Sequence, residues 1–438
     1  MIATIVVSAI TVLTILILLI VKPTFTVKGK EISFYWIIAL VGAVLLLCIG
    51  CISPTEVWQG LTRQTSVNPL KLLVIFFGMT FLSVFLDEMN LFEYLASVAV
   101  RKSKATQKSL FLTLYITVSL LTMFTSNDIV ILTFTPFILH FAKKVKINPL
   151  PYLIAEFVAA NTLSITLIIG NPTNIYLASS ANIGFFDYLK IMILPSILCA
   201  VGAYFIIFGI FHKQLREPML FEDTPVKLGD KFLLITGIVH LVLAIVALSV
   251  CTYVGIEMWI ACAVIAGSLI LFTFVYLLVK KQGLSLFLRV FKRLPYALAP
   301  FVLSMFVIVL ALNKCGFTEQ VAKAFNNGDS IFIYGITSFL SANVLNNIPM
   351  SVLYADGLAL AGLTSADFYG ALYASIIGSN IGAYLTPVGA LAGIMWLSIL
   401  KKHDFNLSFG KFMTYGVMIS IPIMILALAS LHLSMLWI

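Results

Sequence analysis

Charge is what this chain has least of. Only 10% of its 438 residues are Asp, Glu, Lys or Arg, against the roughly 25% of a soluble domain. A chain this poor in charge cannot cover a water-facing surface, so its net charge of +9 does not point to a nucleic-acid partner. Cysteine is also sparse. Cys48, Cys51, Cys199, Cys251, Cys262 and Cys315 lie in or beside apolar stretches; Cys48 and Cys51 stand three apart as one CxxC, but with no second such pair and no Cys/His spacing no disulfide framework or zinc site is indicated, which leaves buried free thiols as the expectation. An intramembrane enzyme, the remote alternative for such a chain, would need a GxGD aspartyl partner, an HExxH pair or an acid-rich metal cluster, and all three are missing. No metal and no cofactor are therefore expected. The N-terminal apolar segment has neither a basic start nor a small-residue cleavage site, so it is read as a retained first helix.

What fills the chain is apolar: 61% of residues are hydrophobic and the mean hydropathy is +1.08. A bilayer crossing takes about 20 apolar residues. Runs of that order fall at 3–21, 34–52, 70–86, 152–180, 190–211, 232–251, 257–279, 295–312, 366–397 and 412–437. The chain reads as an all-α polytopic protein of the cell membrane. Two runs, 152–180 and 366–397, are too long for one span and contain GNPTN (170–174) and GSNIGAYLTPVG (378–389), so each is read as a broken transmembrane helix.

Two further apolar segments are interrupted near their middles, 109–142 by Ser126, Asn127 and Asp128, and 331–362 by Asn346 and Asn347. Non-helical backbone at membrane depth is tolerated only where protein or an aqueous cavity satisfies it. Matched interruptions in the two halves of a chain mark the solute and ion sites of secondary transporters. If 109–142 and 331–362 are re-entrant helical hairpins, 22 of the 27 Lys and Arg fall on one face, leaving Arg63, Lys71, Lys190, Lys314 and Lys323 opposite. By the positive-inside rule the first face is cytoplasmic and both termini lie outside. Reading either hairpin as a full crossing destroys that bias. The expectation is thus an inverted repeat: a first half at 1–211 with a cytoplasmic-side hairpin, a cytoplasmic linker at 212–231, and a second half at 232–438 with an outer-side hairpin. Segments 87–104 and 313–328, which precede the hairpins, read as amphipathic interfacial arms.

Asp128 leads the functional candidates, because a carboxylate near mid-membrane costs at least ~2.5 kcal/mol and needs a compensating proton or sodium ion. Against that stands a tip carboxylate that only fixes its loop. Ser126 is grouped with it for ion coupling, as are Glu156 and Asp356, while Glu257 sits near a helix end and His240 reads as a packed polar residue. For solute binding the candidates are Asn127, Asn171, Thr173, Asn174, Asn346, Asn347, Ser379, Asn380 and Thr386. Amides and hydroxyls both donate and accept without bearing charge, which suits an oxygen-rich solute or a cation's coordination. The competing roles are interhelical glue and simple kinks, with Pro136 and Pro349 shaping the hairpin arms. No Lys or Arg lies within the hairpins or broken helices, which favours a neutral or singly charged solute, or an anion accompanied by cations.

The stretches TSNDIVILTFTPFIL (125–139), SANVLNNIPMSVLY (341–354) and LTPVGALAGIMWLSIL (385–400) resemble the ion transporter superfamily, most closely its arsenite permease branch, the arsenical pump membrane proteins. The resemblance implies an elevator-type carrier with a mobile domain holding both hairpins and a scaffold that dimerises in symporter relatives. It also implies export of As(III) or Sb(III) trihydroxide in exchange for protons. Gly382-Ala383 stands where the permeases have Gly-Pro, and GNPTN is closer to the anion symporters' element. The alternatives are therefore a sodium-coupled, dicarboxylate-like anion transporter or a sodium/proton antiporter of the same superfamily.

Overall fold

Each of the ten apolar runs contains helix in the computed structural model, which describes residues 1–21, 24–27, 30–62, 68–102, 106–125, 127–219, 226–325 and 328–436. Among these there are twenty α-helices, and the second ten repeat the order of the first. The first set is α1 (Ile2–Val21), α2 (Phe34–Cys48), α3 (Pro54–Thr62), α4 (Pro69–Glu88), α5 (Leu91–Lys102), α6 (Gln107–Phe124), α7 (Asn127–Val145), α8 (Leu150–Leu163), α9 (Pro172–Ser180) and α10 (Phe185–Phe211). The second is α11 (Lys231–Val250), α12 (Met258–Val279), α13 (Ser285–Lys292), α14 (Leu298–Lys314), α15 (Phe317–Phe325), α16 (Ser330–Leu345), α17 (Asn347–Leu360), α18 (Ser365–Gly382), α19 (Leu391–Lys402) and α20 (Phe409–Met435). Corresponding joints agree in detail. Asn90 between α4 and α5 (φ 58°) and Gly316 between α14 and α15 (φ 77°) both take left-handed backbone to turn the chain after two residues. α10 and α20, 27 residues each with an internal proline, pack against one another.

Seven described helices are long and apolar enough to cross a bilayer, or eight if α14 and α15, bent by 77°, count as one. α8 and α18 are different: every residue of α8 and all of 370–382 in α18 is buried. Small residues make this possible. Gly370, Ala374, Gly378 and Gly382 recur every four positions and form one stripe on α18, the pattern that lets helix backbones approach in a membrane. A Cβ at Gly378 would sit 2.5 Å from the Gly335 carbonyl oxygen, and one at Gly382 would sit 2.7 Å from that of Phe339, so α16 lies directly on this stripe. A short antiparallel ribbon, Thr24–Val27 with Lys30–Ser33, joins α1 to α2 within what read from sequence as a basic loop. The cysteines are free, but only Cys199, Cys251 and Cys262 are buried; Cys48 is exposed, on the same face of α2 as exposed Val41, Val44 and Leu45.

Candidate functional site

The two broken helices open where glycine, proline and asparagine interrupt them. α8 ends at Leu163, and the chain folds tightly through 164–171 before Asn171 caps α9, its side chain accepting from the Thr173 N–H at 3.1 Å. Gly170 is required there, since a Cβ would lie 2.3 Å from the Ser164 carbonyl oxygen. α18 ends at Gly382, and α19 begins after Ala390. With α7 and α17, four helices therefore start at the breaks and bring their partly positive N-termini to them.

Asn380 joins the two breaks. Its Oδ1 accepts from Ser164 Oγ and Asn171 Nδ2, each at 2.8 Å, and its Nδ2 donates to Asn174 Oδ1 at 2.8 Å. Thr173 and Ser379 hydroxyls meet at 3.2 Å, and Thr162 donates to the Tyr384 hydroxyl at 3.2 Å. Asn174 in turn donates to the Ser164 carbonyl, which the break freed from helical bonding, and to the Leu167 carbonyl, which also accepts the Gly170 N–H at 3.0 Å. Asn171, Thr173, Asn174, Ser379 and Asn380 thus form one fully buried network spanning the two halves.

The joints between α6 and α7 and between α16 and α17 each hydrogen-bond to one of the broken helices. Asn127, the first residue of α7, donates to Asn161 Oδ1 at 3.0 Å, and its own Oδ1 is buried without a partner among the described residues. In the second half Asn346 donates to the Val388 carbonyl at 3.2 Å, and its Oδ1 is likewise buried and unpartnered. Its backbone, φ 71° and ψ 153°, occupies a region almost reserved for glycine. Thr386 is held by Asn343 Oδ1, which accepts its hydroxyl at 2.7 Å and its N–H at 3.1 Å. Asn347 is buried at the start of α17 and shares no hydrogen bond with the network among the described residues.

Asp128 is half-buried in the first turn of α7, with no hydrogen bond or ion pair among the described residues. It lies close enough to Tyr35 of α2 for the two to interact electrostatically, and Tyr35 lines a small cleft together with Asn346. One tyrosine thus relates both tips. Ser126 lies outside the described residues.

Other acids are placed elsewhere. Asp356 is half-buried on α17, accepting from Asn313 of α14, whose Oδ1 accepts from Thr318. Glu156 is buried on α8 and accepts from Thr135. Glu257 pairs with Lys71 and Trp259, and Lys71 lowers its pKa, the ordinary effect of an ion pair on a carboxylate. Among the described residues His240 bonds its own helix, through the Thr236 carbonyl.

Sequence reasoning missed Asn161, Ser164, Asn343, Tyr384 and Tyr35. Asn161 carried a usable signal, because it stands third from the end of α8 as Asn380 stands third from the end of α18. Tyr35 carried none.

A family model described as citrate transporter matches residues 16–368. The arsenical pump membrane protein of Escherichia coli K12 is 28% identical over 93% of this chain and 95% of its own. The putative arsenical pump membrane protein of Bacillus subtilis is 24% identical over 89% and 91%. Among solved structures, the YdaH transporter of Alcanivorax borkumensis superposes with a TM-score of 0.58 at 15% identity, over 99% of this chain and 98% of that one. MtrF of Neisseria gonorrhoeae, described among antimetabolite efflux pumps, gives 0.53 at 13% identity over 97% and 94%. At such identities the two structures speak for the fold alone.

Proposed function

We propose, from the premise that this chain belongs to the citrate transporter family and is a multi-pass membrane transporter rather than an enzyme, that it exports As(III) or Sb(III) trihydroxide in exchange for protons. The observation behind the cargo is the character of the site. Two buried asparagine carbonyl oxygens, on Asn127 and Asn346, stand without donors at the two tips, beside a network built only of amides and hydroxyls. Unpaired buried acceptors call for a ligand that donates hydrogen bonds or for a cation. A neutral trihydroxide donates three. A citrate trianion would need compensating charge, and 109–142, 152–180, 331–362 and 366–397 contain no Lys or Arg to supply it. The sodium-coupled alternative rests on the same oxygens, which would equally coordinate a small cation.

Asp128 is the coupling group in this reading, half-buried in the first turn of α7 and partnered by no fixed cation among the described residues. Everted vesicles under a proton gradient should accumulate As(III), and an arsenite-sensitive strain expressing the protein should gain tolerance. Failure of both would reject the cargo.

The helix pairs α6/α7 and α16/α17 are re-entrant in this proposal, entering from opposite faces, with both termini outside. The basic-residue distribution supports it. A cysteine replacing exposed Lys144, in the last turn of α7, should react with an impermeant thiol reagent only from the cytoplasmic side. Reaction in intact cells would overturn the hairpin topology.

A further inference from the structure

Glu156 is 1% exposed, deep in α8 and away from the polar network. Both its carboxyl oxygens face one donor, the Thr135 hydroxyl of α7, at 2.9 and 3.1 Å. On the third side is Trp396 of α19, whose buried indole N–H is directed at the same carboxyl yet closes no normal hydrogen bond. Trp396 belongs to an aromatic cluster: Phe157, Trp396 and Phe412 meet tilted or edge-on with ring centroids 5.0 to 5.7 Å apart.

Among the described residues no cation is hydrogen-bonded or ion-paired to this carboxyl. The charged positions of the helices around it are Lys108 on α6, Asp128, His140, Lys143 and Lys144 on α7, Asp187 and Lys190 on α10, Asp367 on α18, Lys401 and Lys402 on α19, and Lys411 and His432 on α20. None is hydrogen-bonded or ion-paired to Glu156 among the described residues. An ionised carboxylate accepts about four hydrogen bonds, and burying one with a single hydroxyl donor costs several kcal/mol even after relaxation. A neutral acid in the same place loses only the modest penalty of a polar group that is partly bonded.

We propose that Glu156 is an internal proton-binding site, distinct from Asp128, that holds a proton in this conformation. The proton leaves to water only when α7 separates from α8 and α19, because separation is what removes the enclosure. α7 bears both Thr135 and the Asp128 tip, so a movement of the tip on binding solute alters the shell of Glu156 as well. The inference deepens the proton-exchange reading, but its test is independent of the cargo.

Infrared difference spectroscopy of the purified full-length protein without solute reads it directly. At neutral pH the wild type should show the C=O stretch of one protonated carboxylic acid, absent in E156Q and retained in D128N. T135V, which removes a donor without touching the acid, should move that band to higher wavenumber, a shift that a purely structural role would not produce. A wild-type spectrum without the band, its persistence in E156Q, or an unmoved band in T135V would overturn the assignment. Should E156Q fail to fold, T135V together with D128N still decides. Loss of As(III) transport with the band intact would instead count against the cargo alone.

Discussion

Asp128→Asn should leave a folded, membrane-inserted protein that no longer builds a solute gradient from a proton gradient. The side chain has no partner to lose among the described residues, and asparagine has nearly the same shape, so stability is expected to change by less than about 1 kcal/mol. What disappears is the charge that binds the coupling proton. One elementary charge moving through 100 mV is worth about 2.3 kcal/mol, and every 1.4 kcal/mol is tenfold, so each lost coupled charge lowers the gradient sustained at that potential by roughly 40-fold. Steady-state accumulation in everted vesicles, with binding of solute to detergent-solubilised protein as the control, measures it. Accumulation equal to wild type would remove Asp128 from the coupling role, whatever the cargo.

The largest structural effect is expected at Asn380. Replacing it with leucine preserves approximate volume but leaves Asn171 Nδ2 without its acceptor and deprives Asn174 Oδ1 of its 2.8 Å donor, while Ser164 keeps only its bond to the Asn161 carbonyl. A buried polar group left unpaired costs about 1–3 kcal/mol; with Asn171 Nδ2 unpaired, Asn174 Oδ1 kept only by a long 3.5 Å bond from the Thr173 hydroxyl and Ser164 weakened, the sum is roughly 2–5 kcal/mol. Against a total stability of about 5–15 kcal/mol, that is a large fraction. The melting temperature in detergent should fall on the order of 5–10 °C, with transport lost even in the fraction that remains folded. An unchanged melting temperature with normal transport would mean that water replaces Asn380 and that the two halves are held together by other contacts.

These two residues differ in how readily the sequence reveals them. Asp128 announces itself, because a carboxylate inside a long apolar segment has no bland reason to be there. Asn380 is equally polar, but its importance lies in meeting Asn171 and Asn174, more than 200 positions away. Asp356 shows the converse. From sequence it resembles Asp128, an acid on the second arm of a helix pair, yet it lies nine residues beyond Asn347 and bonds Asn313 on α14 rather than the polar network.

The sequence by itself determined the elements: which stretches are helical, where two of them break, and where the paired helices turn. Those decisions are local, made by apolar run length, by proline and glycine, and by asparagine at helix starts. Tertiary structure alone decided which polar groups share a site. That depends on helix depth and rotation, set here by contacts such as α16 against the glycine stripe of α18. A shift of one residue turns a helix by about 100° and would carry Asn380, Thr135 or Tyr35 away from its partner while leaving the hydropathy of each segment unchanged.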